Sequence, residues 1–145
     1  MRRVEITIDI NTSPAKVIQA FTDPVMLCAW WGVERSLIEL ESGGLYTLAW
    51  NITEHGFGFV STGTIKNYRP DQLLELDKLV YLNPKFPLLG PMKMIISATP
   101  KDDKTTLYLC QSGYQHGPDW DWYYEAVKKA WPEVALTLKN YLEKL

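Results

Sequence analysis

The sequence predicts an α+β domain in which an antiparallel meander of strands is closed by one long C-terminal helix. Three observations carry this. Residues 2–10 alternate strictly between apolar and polar, with Val4, Ile6, Ile8 and Ile10 on one side. Several more strand-like runs follow between residues 33 and 114, separated by short turns rich in Gly, Pro or Asp. From residue 119 to residue 145 the apolar period changes to three and four. Tyr124, Val127, Trp131, Val134, Leu138, Tyr141 or Leu142, and Leu145 then share one stripe of a helix, and Glu125, Lys128, Lys129, Glu133, Lys139 and Glu143 make the opposite, solvated face. A helix of that length must lie on the sheet, and it either fills the concavity or leaves a pocket beneath itself.

The elements follow in order. The first strand ends at Asn11-Thr12-Ser13-Pro14, where Ser13 is a good N-cap and Pro14 a good first helical residue. A short helix burying Val17, Ile18 and Phe21 stops near Thr22. Asp23-Pro24 opens a second, which Gly32 ends. Strands are expected over residues 33–41, 45–53, 57–68, 73–82, 92–99 and 105–114. The phase of 73–82 is undecided, because its apolar residues do not alternate. Residues 83–91 hold three prolines and a glycine and read as a loop whose Phe86, Leu88 and Leu89 pack down or rim an opening. Pro132 falls inside the closing helix, where a kink or a break is expected, with Trp131 at the bend.

Composition bounds the function. At 145 residues the chain is one domain, 1–145, long enough for a proper core. A formal charge of −2 gives no electrostatic basis for binding nucleic acid or an anionic membrane. No apolar run is long enough for a membrane span, and Glu5 and Asp9 interrupt the place where a secretion signal would need its apolar core. Cys28 and Cys110 read as two buried free thiols of a cytoplasmic protein. Six Trp, eight Tyr and four Phe suit either a cavity lined by aromatics or a large ordinary core.

Strand, two short helices, meander and long C-terminal helix is the helix-grip layout. Thr12-Ser13-Pro14-Ala15-Lys16-Val17, then Phe21-Thr22-Asp23-Pro24 and Ala29-Trp30-Trp31-Gly32, resembles the opening of the START-like (SRPBCC) superfamily. The nearest branch is the one named after the activator of the heat-shock protein 90 ATPase. Gly43-Gly44-Leu45-Tyr46, Gly63-Thr64-Ile65, the run from Thr106 to Tyr114, and Trp131 with Leu138-Lys139 and Tyr141-Leu142-Glu143 match its later segments. The resemblance implies a curved antiparallel sheet of about seven strands wrapped around the long helix, with a cavity between them. It also implies functional breadth, from lipid and hormone binders to cyclases and co-chaperone domains.

If the family's phase holds, Tyr46, Leu48 and Trp50 point into that cavity. Phe59, Met94, Ile96, Leu107, Leu109 and Gln111 face it from later strands, Tyr124, Val127 and Trp131 cover it from the helix, and Trp30 closes one end. The polar atoms of Tyr46, Gln111, Tyr124 and the indoles would orient a ligand, or need partners of their own if the space is closed. No catalytic constellation, metal-ligand spacing, nucleophile elbow or phosphate loop is present. His55 and His116 lie in expected turns, and no cofactor is implied. The expectation is a non-catalytic binder of a small apolar or aromatic molecule, a lipid included. The alternatives are a protein-interaction module that docks on a chaperone, or a cyclase- or dehydratase-like enzyme.

Overall fold

The computed structural model describes residues 2–145. β1 (Arg3–Ile10), α1 (Pro14–Gln19) and α2 (Pro24–Trp31) come first. β2 (Arg35–Ile38), β3 (Leu45–Trp50), β4 (Phe59–Arg69), β5 (Leu73–Leu82), β6 (Leu89–Lys101) and β7 (Lys104–Ser112) follow, and α3 (Pro118–Glu143) closes the chain. The strands form one antiparallel sheet of seven in the order β1-β7-β6-β5-β4-β3-β2, the helix-grip arrangement. The local signals act as expected. Ser13 Oγ accepts the Lys16 N–H and Asp23 Oδ1 accepts the Val25 and Met26 N–H groups, so both short helices start on a side-chain cap. Gly32, at φ 71°, ends α2 in the left-handed region.

β5 carries a bulge, which bends the strand and shifts its register with both neighbours. Leu74 and Leu76 are buried, Lys78 turns to φ 53°, and the next buried residue is Leu79. Opposite the bulge, a Cβ on Gly63 would lie 2.9 Å from the Asp77 carbonyl and 3.1 Å from the Leu79 backbone, so only glycine fits there.

Several boundaries differ from the sequence reading. β2 is shorter than residues 33–41. β3 stops at Trp50, short of residue 53, because Asn51 takes φ 56°, and Ile52 beyond it is 43% exposed. The loop expected over residues 83–91 ends at Leu88. Pro91 lies inside β6, where the register with β5 shifts and its missing N–H interrupts no regular ladder. Leu145, assigned to the buried stripe, is exposed beyond the helix end. α3 runs unbroken through Pro132, which is exposed, so solvent serves the carbonyl that its ring leaves free. Cys28 is exposed rather than buried, Cys110 is buried, and both are unpaired.

α3 is tied at both ends to β1 or the residues flanking it. Near its start, Arg2 Nη1 pairs with Asp121 at 2.8 Å, and the guanidinium sits 4.9 Å from the centre of the Tyr124 ring. In the last turns, Lys139 Nζ donates to the Asp9 carbonyl at 2.8 Å and to Glu143 Oε2 at 2.7 Å, and the Asn11 N–H donates to the same carboxylate at 2.8 Å. The Lys139 hydrogen bond first, then that of the Asn11 N–H, holds the Glu143 carboxyl below the usual range. A depressed folded-state value adds stability above the ordinary carboxylate range, and this is lost as the pH falls through it. Glu143→Gln is therefore expected to lower the melting temperature slightly above about pH 5 and to leave it unchanged below about pH 3. A melting difference that persists in acid would mean the loss is one of packing rather than of charge.

Candidate functional site: a cavity under the closing helix

The two halves of α3 pack differently. Ala135, Leu138 and Leu142 are buried, whereas Val127 and Val134 are half-buried and Ala130 is exposed. The C-terminal half seals against the sheet. The N-terminal half stands away from it, and between the two lies a cavity of about 410 Å³.

Nine of the twenty lining residues are aromatic, half of the chain's six Trp, eight Tyr and four Phe, so these side chains segregate to one place. They form a nearly continuous belt. Trp131 lies 5.6 Å from Trp31 between ring centres, Trp31 lies 5.1 Å edge-on to Trp50, and Trp50 stacks on Phe59 at 5.0 Å. Phe59 lies 6.4 Å from Tyr81, which stacks on Tyr123 at 4.7 Å. Gln111 closes the circle, its Nε2 donating to the Tyr123 hydroxyl at 3.1 Å and its Oε1 accepting the Trp131 indole N–H at 3.2 Å. These rings have few torsions and brace one another, so they cannot easily fold inward to fill the space.

Among the described residues, no Asp, Glu, Lys, Arg or His lines the cavity. The polar groups expected to orient a ligand are largely engaged by protein. The Tyr46 hydroxyl donates to the Phe21 carbonyl at 2.6 Å, the Trp50 indole N–H to the Trp31 carbonyl at 3.2 Å, and Gln111 is held as above. Burial pushes the Tyr46 and Tyr123 hydroxyls well above the ordinary phenol range, so both stay protonated and neutral across physiological pH. His55 is exposed beside Glu54, and His116 is exposed in the turn before α3. Among the described residues, no cluster of His, Cys, Asp and Glu could hold a metal ion.

The structure brings Tyr46, Leu48, Trp50, Phe59, Met94, Ile96, Gln111, Val127 and Trp131 together around the cavity. It does not bring in Trp30, Leu107, Leu109 or Tyr124. Trp30 lies behind Trp31, stacked on it at 4.9 Å with its indole N–H on the Ala20 carbonyl, so Trp31 forms the wall. Leu107 and Leu109 face the same side of the sheet but lie under the sealed half of α3, against Ala135 and Leu138, where the remaining gap is too small for water. Tyr124 lies outside under the Arg2 guanidinium, and its neighbour Tyr123 points in. Steps of three and of four back from Val127 are both helical, so the stripe alone did not choose between them.

Besides Trp31 and Tyr123, the sequence reading missed Phe21, Ser61, Leu76, Leu79, Tyr81, Trp122 and Val134, and the small residues Ala126 and Ala130. The alternating pattern of β4 offered Ser61, and the four-residue spacing of Trp122, Ala126 and Ala130 marked a second helix row. That row borders the opening, where Trp122 is 44% exposed and stacks on Phe86 of the 83–88 loop at 4.2 Å. Of the apolar residues there, Phe86 packs on Trp122 at this edge, Leu89 is buried at the start of β6 and Leu88 is exposed.

Solved structures share this architecture. DynU16, a protein of the dynemicin biosynthetic locus, superposes with a TM-score of 0.76 at 18% identity over 97% of the chain, which spans 47% of DynU16. The Aha1 protein of Colwellia psychrerythraea, solved as a dimer, gives 0.74 at 17% identity over 99% of this chain and 97% of that one. MLL2253 of Mesorhizobium loti gives 0.75 at 21% identity over 99% and 98%. At these identities the likeness establishes the fold alone. No curated protein matches the chain. Among the described residues no helix is long and apolar enough to cross a membrane. The family profile described as Activator of Hsp90 ATPase homolog 1-like protein matches residues 11–143, and with the helix-grip sheet and its closing helix this makes the chain a member of that family.

Proposed function

We propose that the chain binds a small, uncharged apolar or aromatic molecule in the cavity under α3, without transforming it. The observation that carries this reading is a cavity of about 410 Å³ walled by braced aromatics and empty of charge. Ligand pockets run from about 300 to about 1,000 Å³, so it suits a compact molecule. Apolar burial supplies most of the affinity, at roughly 25 cal/mol per Å² before ordering costs. Catalysis is disfavoured because the titratable groups at the cavity are tyrosines, and those of Tyr46 and Tyr123 are held protonated. The reading takes the chain as one START-like domain working in the cytoplasm, where Cys28 and Cys110 would stay reduced.

A second reading, docking on a protein such as a chaperone, is favoured by exposed apolar side chains, Trp122 at the opening (44% exposed) and Leu88 in the 83–88 loop (60%). A docking module has no need of an open cavity, so it stands second. Native mass spectrometry of protein purified from its own host, followed by thermal-shift measurements with small aromatics and lipids, separates the two. A co-purifying small molecule, or stabilisation by one chemical class at saturating concentration, supports the binder. No bound mass and no shift with any class would overturn it.

A further inference from the structure

The cavity has one polar corner. Ser61 on β4 pairs directly across the sheet with Tyr81 on β5, and Tyr81 stacks on Tyr123 of α3, so three hydroxyl side chains adjoin one another on the cavity wall. Each retains a proton to donate. The Tyr123 oxygen accepts from Gln111 Nε2 and the Tyr81 oxygen accepts from Asn83 Nδ2 at 3.2 Å, but among the described residues neither hydroxyl has an acceptor of its own. Ser61 Oγ has no hydrogen-bond partner among them either, yet it is not sealed from the cavity space. Elsewhere the cavity's polar atoms on Tyr46, Trp50 and Trp131 are committed to protein partners, and the remaining indole N–H groups, of Trp31 and Trp122, are isolated donors away from this cluster of hydroxyls.

Three properties of the ligand follow. Without a lysine, arginine or histidine on the wall, a carboxylate or phosphate inside would be a buried, unpaired charge, so fatty acids and phospholipid headgroups are disfavoured. A belt of rings fixed at stacked and edge-on angles rewards a rigid planar partner over a flexible chain, which would also lose rotamer freedom. The free donors at the corner require an acceptor on the ligand, because an apolar atom placed there would strand them.

Building on the binding reading above, we propose that the ligand is a neutral, planar, fused-ring aromatic bearing a hydrogen-bond acceptor such as a carbonyl oxygen. Its ring lies within the belt of Trp31, Trp50, Phe59 and Trp131, and its acceptor meets the Ser61, Tyr81 and Tyr123 hydroxyls.

The test titrates the full chain with probes of matched size, followed by calorimetry. They are 2-acetylnaphthalene, 2-ethylnaphthalene, 2-naphthoate, the fully saturated 2-acetyldecalin, and dodecanoate. The ketone is expected to bind more than about tenfold tighter than the acetyldecalin, the naphthoate and the dodecanoate. It should also bind roughly three- to tenfold tighter than ethylnaphthalene. Tyr123→Phe and, as a milder change, Ser61→Ala should each narrow the gap between ketone and hydrocarbon. If acetyldecalin or dodecanoate binds as tightly as the ketone, the ligand class is wrong while the cavity still binds. A gap untouched by both variants overturns the corner as the polar contact. If no probe binds, the cavity reading falls and this inference with it.

Discussion

Trp131→Ala is expected to destabilise the protein by about 3–5 kcal/mol, the range for removing a large buried aromatic. Trp131 is only 7% exposed, and it stands where the sealed half of α3 meets the open half. Three losses combine. The indole area is lost from the core. Gln111 Oε1, on a residue 2% exposed, loses its donor, and an unmatched buried acceptor costs about 1–3 kcal/mol. Trp31, which leans on Trp131 at 5.6 Å, loses its brace against the helix. Chemical denaturation with an unchanged m-value is the measurement. A loss under about 1 kcal/mol would mean that the belt does not hold the helix to the sheet.

The sequence carried the fold further than the site because the two depend on different information. Strict alternation in β1, the caps at Ser13 and Asp23, and the αL glycine at Gly32 are local signals, and each acts within a few residues of itself. The site depends on offsets of a single residue that local signals do not resolve. β5 shows this most clearly. The bulge at Lys78 moves the inward face from even positions, Leu74 and Leu76, to odd ones, Leu79 and Tyr81, so no single phase describes the strand and Tyr81 could not be placed. Leu107 and Leu109 had the right phase and failed for another reason. They face the helix, but whether a facing residue meets a cavity or a sealed core depends on the angle at which α3 leaves the sheet. That angle is set by distant ties, Lys139 and Glu143 to β1 at one end and Arg2 to Asp121 at the other. The exchange of Tyr123 for Tyr124 has the same origin, since both satisfy the helical period and the long-range Arg2 contact draws Tyr124 outward.

The second large effect separates an open cavity from a solid core by the sign of a stability change. Val127 lines the cavity from α3 and is half-buried. Replacing it with Trp projects an indole into the space, and Trp and Val have nearly equal helix propensities, so the backbone contributes little. In a packed core the added bulk would cost about 1–3 kcal/mol through displaced neighbours. In a cavity of about 410 Å³ the indole finds room among the existing rings. Val127→Trp is therefore expected to leave the ligand-free protein as stable as before or to stabilise it by about 1 kcal/mol. It should at the same time weaken any aromatic ligand by more than about tenfold, because the variant's own side chain occupies the ligand's place. Denaturation without ligand and a binding titration on the same preparation give both readings. Destabilisation with binding intact would place the ligand elsewhere. Destabilisation with binding lost would mean that the wall is too rigid to take the indole and that the binding loss reports strain. Only stability kept and binding lost together match a preformed cavity whose shape the surrounding aromatics maintain without a ligand's help.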